Sequence, residues 1–69
     1  MYYDEAISLV KEGYLIQRPS WGDSYIYKNT YGDIMFMSIK SFEGNDIMHI
    51  KPYIPSKSDV EADDWREYE

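Results

Sequence analysis

Between Asp33 and Lys40 the chain reads Asp-Ile-Met-Phe-Met-Ser-Ile-Lys, and this segment limits the possible folds more than any other. In an extended strand Ile34 and Phe36 point to one side, while Met35, Met37 and Ile39 point to the other. A strand that is apolar on both faces needs cover on both. A chain of 69 residues supports one small core and no more. A single helix covers one face, which leaves the second for another copy. The expectation is a homo-oligomer, a dimer or tetramer, in which sheets pack face to face or pair at their edges.

The remaining elements fall around that strand. Tyr3, Ala6, Ile7 and Val10 stand at i, i+3, i+4 and i+7, which predicts a helix over residues 3–12. Asp4 and Glu5 complement its dipole, and Gly13 is the expected stop. Tyr14 to Arg18 reads as a strand ended by Pro19, with a turn over Ser20 to Asp23. Ser24 to Lys28 follows as a strand, with Tyr25 and Tyr27 on one face and Ile26 on the other. Asn29-Thr30-Tyr31-Gly32 signals a hairpin turn, and Glu43-Gly44-Asn45 the next. Asp46 to Tyr53 completes four strands. Ser58-Asp59-Val60-Glu61 matches a capping box, predicting a helical turn from Asp59 to about Asp64. Arg66 to Glu69 is expected to fray. The class is α+β, one domain over residues 1–69: an N-terminal helix, an antiparallel sheet of about four strands and a short C-terminal helical turn.

Composition narrows the partners. A net charge of −6 argues against duplex nucleic acid, which is bound through Lys and Arg on phosphates. A local basic pocket still works on an acidic protein, because screening confines charge effects to about 8–10 Å. No apolar run approaches the roughly 20 residues that span a bilayer, and the first residues are acidic where a signal peptide is basic. The absence of cysteine excludes disulfides and suits a reducing cytoplasm. With aromatics at 17%, eight of them Tyr, the chain is rich in flat rings for cores, interfaces or base stacking.

A search for catalytic groups finds little. His49 is the single histidine and sits on a predicted strand, where a structural role is the commoner one. Asp59, Glu61, Asp63 and Asp64 read as a solvated run rather than a metal cluster. The glycines form no phosphate-cradling loop. The expectation is a protein with no catalytic residue, metal or cofactor.

Two segments are more specific. The first contains Tyr3-Asp4-Glu5-Ala6, then Leu9-Val10-Lys11-Glu12-Gly13, then Ile16-Gln17-Arg18-Pro19-Ser20-Trp21. The second is Pro55-Ser56-Lys57-Ser58-Asp59-Val60-Glu61-Ala62-Asp63-Asp64-Trp65. An aromatic-x-x-Ala helix, Arg-x-x-Trp after a strand and a terminal Asp-x-x-Ala-Asp-Asp-Trp together resemble one of the Thoeris anti-defence families of phages and prophages. The resemblance implies a small oligomeric sponge. It would bind cyclic ADP-ribose isomers made by bacterial TIR-domain proteins, or the cyclic oligonucleotides of CBASS defence, and hold them uncleaved in the host bacterial cytoplasm. The matched segments are the first third and last quarter of the chain. Residues 24–52, where many members carry a longer insertion that helps shape the pocket, form only compact hairpins here. Tyr2 stands where the family often has a small polar residue.

Within that frame each candidate has two readings. Trp21 could stack on an adenine or close the core against the helix. Arg18 could grip a pyrophosphate with two parallel hydrogen bonds or pair with Asp63 or Asp64, tying the two segments together. Asp59 could accept from ribose hydroxyls or an adenine amine, with Ser56 beside it. Tyr25 and Tyr27 could line a pocket or pack an oligomer interface. Lys28, Lys40, Lys51 and Lys57 are candidates for phosphate charge. Trp65 reads as an anchor for the C-terminus, and Ser58 as a helix cap. The alternative to a sponge is an acidic phage protein that inhibits a host protein, for instance by mimicking nucleic-acid charge. That reading requires acids spread over one convex face.

Overall fold

The computed structural model describes residues 1–68. Helix α1 spans Tyr3–Lys11, with Asp4 and Glu5 in its first turn and Lys11 in its last. Tyr2 occupies the N-cap and makes no side-chain cap hydrogen bond, so the charges of the first turn do the work of a cap. Gly13, at φ +106°, lets the chain reverse, so that its N–H reaches the Val10 carbonyl at 3.0 Å and that of Tyr14 the Leu9 carbonyl at 3.1 Å. Ala6 and Val10 of the apolar stripe are fully buried, and Tyr3 and Ile7 pack at the margin of the same cluster.

The sheet has five strands: β1 (Ile16–Gln17), β2 (Tyr25–Lys28), β3 (Ile34–Phe42), β4 (Asn45–Pro52) and β5 (Arg66–Glu67). All pairings are antiparallel and the order is β4-β3-β2-β1-β5. Short helix α2 (Lys57–Glu61) connects β4 back towards β5. Ile16, opposite Ile26 in the register, joins Ala6, Val10 and Trp65 in the buried core. The α+β class is therefore as expected, with α1 ahead of the sheet strands and α2 between β4 and β5.

The differences lie in the short elements. The predicted first strand shrinks to two residues, and Tyr14 and Leu15 stay exposed ahead of it. Pro19–Trp21 forms a 3-10 turn, with proline at a helix start where its missing N–H costs nothing. Arg66 and Glu67 are not frayed. They pair with Gln17 and Ile16, adding a fifth strand, because Trp65 is buried beside them and holds this end of the chain to the core. Glu69 lies outside the described residues. The helix cap also shifts. Ser56, not Ser58, caps α2: its hydroxyl accepts from the Asp59 N–H at 3.2 Å while the Asp59 carboxylate accepts from the Ser56 N–H at 3.4 Å. Asp replaces Glu at the third position, one methylene shorter but close enough in this five-residue helix.

Register fixes which faces are covered. Ile26, Phe36 and Lys51 stand opposite one another and share the α1 side of the sheet. Tyr25, Tyr27, Met35, Met37, Ile39, Met48 and Ile50 share the other side. No element among the described residues covers that second face. Met48 and Ile50 are 61% and 53% exposed, as the two-sided strand required of a lone chain.

Candidate functional site

The site begins with a buried polar residue. Gln17 is only 3% exposed, yet every side-chain donor and acceptor it needs is met. Its Nε2 donates to the carbonyls of Gly22 at 2.7 Å and Ser24 at 2.9 Å, and its Oε1 accepts from Arg66 Nε at 3.1 Å. One side chain thus ties the loop after β1 to both β1 and β5. Gly22 takes φ +63° and ψ −116°, a conformation that favours glycine. Together they set the position of Trp21.

Trp21 packs edge-on against three rings: Phe36 at 5.1 Å, Trp65 at 5.1 Å and Tyr53 at 6.2 Å. It remains half-buried, and its open side forms one wall of a cleft of about 280 Å³. Phe36, Lys51, Pro52, Tyr53, Ile54 and Asp59 complete the lining. Trp21 therefore performs the packing role and still presents ring surface to solvent.

Asp59 is the junction beneath this cleft. Its Oδ1 accepts from Arg18 Nη1 at 3.2 Å, and its Oδ2 from the Tyr53 hydroxyl at 3.0 Å as well as the Ser56 N–H. Its backbone carbonyl accepts from Trp65 Nε1 at 3.0 Å. Arg18 Nε also reaches Asp64 at 3.1 Å, so the guanidinium bridges two carboxylates of the second matched segment. These bonds, with Asp64 the stronger contributor and Asp59 next, raise the Arg18 pKa further. Burial, followed by the hydrogen bond to Asp59 and its negative charge, raises the Tyr53 phenol far above its ordinary range. The tie between the two segments expected of Arg18 runs through Asp59 and Asp64, with Asp63 accepting through its backbone from the Met1 amino group.

The six residues singled out in the sequence fall into two groups. Arg18, Trp21, Ser56 and Asp59 gather around the cleft. Tyr25 and Tyr27 lie on the opposite sheet face, 6.1 Å apart, and Tyr25 stacks on Tyr68 at 4.6 Å. Burial, then its tyrosine neighbours, raises the Tyr25 pKa. A second hollow of about 550 Å³ lies beside Tyr68, lined also by Gln17, Gly22, Asp23, Arg66 and Glu67. Sequence reasoning did not pick out Gln17, Phe36 or Tyr53. Gln17 has no signature of its own, and Phe36 reads as core. Tyr53 directly follows Pro52 at a strand end, the one signal that could have marked it.

Among the described residues, no group of three His, Cys, Asp or Glu side chains could hold a metal ion. The acids are distributed over the two helices, the loops, β5 and, at Asp46, the opposite face of β4, whereas the α1-side face of the β3–β4 hairpin carries none.

A two-helix, five-stranded antiparallel scaffold with a ring-lined cleft over an Arg–Asp–Tyr junction is the class of protein that the geometry defines. The chain belongs to the Tad2-like family, the Thoeris anti-defense 2-like domain, whose family model matches residues 1–68. Its role is accordingly Thoeris anti-defence. No curated protein matches the chain.

Proposed function

We propose that the protein acts as a phage sponge: it binds a small cyclic nucleotide signal, a cyclic ADP-ribose isomer or cyclic oligonucleotide, and holds it uncleaved in the host cytoplasm. The observation that carries this reading is the cleft between Trp21, Phe36 and Tyr53. It offers aromatic surface to a base, and stacking of this kind contributes roughly 1–3 kcal/mol per base. Membership of an anti-defence family supports it.

The frame under the rings is built before any ligand arrives. Arg18, Tyr53 and Ser56 are hydrogen-bonded to Asp59, so the rings need no reorganisation to receive a base. In this reading Arg18 and Asp59 hold the cleft in shape, and the rings make the contact. A sponge needs nanomolar affinity, about −12 kcal/mol. A cleft of about 280 Å³ falls just short of the roughly 300–1,000 Å³ usual for small-molecule sites. The open face of Met37, Ile39, Met48 and Ile50, on the side of the sheet away from the cleft, supports association as a dimer or tetramer.

The test is to incubate the purified protein with cyclic ADP-ribose isomers and cyclic di- and trinucleotides, remove free ligand, heat, and assay what is released. Intact ligand recovered only after heating is the expected result. Cleaved ligand would make the protein an enzyme, and no retention would sink the sponge reading.

A further inference from the structure

Several of the basic side chains are already engaged. Arg18 is held between Asp59 and Asp64, Lys28 Nζ donates to the Lys11 carbonyl at 2.8 Å, and Arg66 Nε donates to Gln17. Lys51 is different. It lines the cleft, lies over the Phe36 ring at 5.5 Å from the centroid, and has no carboxylate partner among the described residues. Its ammonium sits within cation–π reach of that ring on an otherwise exposed residue.

The hairpin register extends this position into a row. Phe36 opposes Lys51, Ser38 opposes His49 and Lys40 opposes Ile47, so Lys51, His49, Ser38 and Lys40 all share the α1-side face. At about 3.3 Å per residue, His49 stands roughly 7 Å beyond Lys51, and Lys40 roughly 13 Å beyond it. The other residues of that face, Phe42, Asn45 and Ile47, carry no negative charge. The acid nearest in the strand pair, Asp46, points to the opposite face and is bonded to Ser41 at 2.7 Å. On a chain with net charge −6, this is an acid-free strip of donors that starts at the mouth of the aromatic cleft.

We infer that this strip is a phosphate track: a nucleotide ligand places a base in the Trp21–Phe36–Tyr53 cleft and lays its phosphates outward along the hairpin, first on Lys51, then past Ser38 and His49 to Lys40. The inference rests on the sponge reading and adds a direction to it. Ligand runs from the cleft towards the hairpin tip, not towards Arg18. The strip suits a ligand whose anionic groups extend away from its base, and screening over 8–10 Å lets it act locally despite the acidity of the rest.

The experiment uses the full chain and its variants Lys51→Gln, Lys40→Gln and the double variant, with Lys11→Gln as a surface-charge control on α1. Equilibrium binding is measured to cyclic ADP-ribose isomers, cyclic di-AMP and a cyclic trinucleotide, with thermal melts confirming that these exposed substitutions leave the fold intact. A charge-assisted phosphate contact predicts weakening on the order of tenfold or more for Lys51→Gln, a smaller loss for Lys40→Gln and a larger one for the double variant. Lys11→Gln should bind as wild type. If wild type retains a ligand and the Lys51 and Lys40 variants bind it like Lys11→Gln, the track is overturned while the sponge reading stands. If wild type retains none of the probes, both fall together.

Discussion

Asp59 shows how many contacts one residue can gather beside a cleft. Both of its oxygens and its backbone carbonyl are committed to the scaffold, to Arg18, Tyr53, Ser56 and Trp65. An amide in its place can still accept on one side, but turns two donors towards Arg18 or Tyr53 on the other. Asp59→Asn should therefore cost about 1–3 kcal/mol in urea denaturation and loosen the cleft at the same time. Tyr53 adds a pH signature. Its folded-state pKa is raised above the unfolded value of about 10, so its contribution is fully present below about pH 10 and is lost as pH rises beyond it. Stability followed from pH 8 to 11.5 should fall on the alkaline side, and Tyr53→Phe should flatten that fall. An equally steep decline in the variant would assign the effect to Tyr3 and Tyr25, whose pKa values are also raised. Gln17 is the residue that sequence inspection passes over. Gln17→Leu leaves the Gly22 and Ser24 carbonyls without their donor, and a loss of roughly 1–3 kcal/mol is expected by the same denaturation assay.

At the scale of elements, the long hairpin was legible and the short strands were not. The β3–β4 pair forms eight register pairs from alternation and a turn signal that are both local. Its turn is strained in one place. Glu43 and Gly44 both have positive φ, at 51° and 82°, the pattern of a type I′ turn, and glutamate is a poor first residue for it. Glu43→Asn should stabilise the protein by up to about 1 kcal/mol, seen as a raised Tm, while leaving ligand retention unchanged. Two-residue strands such as β1 and β5 carry no periodicity to read. Arg66 and Glu67 become a strand because Trp65 is buried beside them, a contact between residues far apart in the chain. The displaced helix cap has a similar cause. Ser56 and Ser58 both precede an acid by three residues, and it is the bond from Tyr53 to Asp59 that selects Ser56.

At the scale of the whole molecule, the core is small and set to one side. Ala6, Val10, Ile16, Ile26 and Trp65 are buried between α1 and the middle of the sheet, while every residue of β4 is exposed. The sponge reading assigns the open face to a second copy. Met37 and Ile50 stand opposite each other on that face. Replacing both with lysine should give a folded monomer by light scattering. A wild-type protein that is monomeric at high concentration would instead argue that the open face serves something other than self-association.

The two-sided apolar strand from which the fold was first read now has a location for each of its faces. Alternation along Ile34 to Ile39 was enough to establish that one helix would cover one side and leave the other bare, because strand periodicity is a local property of the backbone. The motif residues Arg18, Trp21, Ser56 and Asp59 were legible as a set through the family resemblance of the two end segments. Only the tertiary structure decided what they do. It joined Arg18 to Asp59 across the chain, sent Tyr25 and Tyr27 to the face away from Trp21, and brought Phe36 and Tyr53 to it. Which groups meet in a cleft depends on strand order and register, and those are set by long-range packing around Trp65 and Ile26 rather than by any stretch of neighbouring residues.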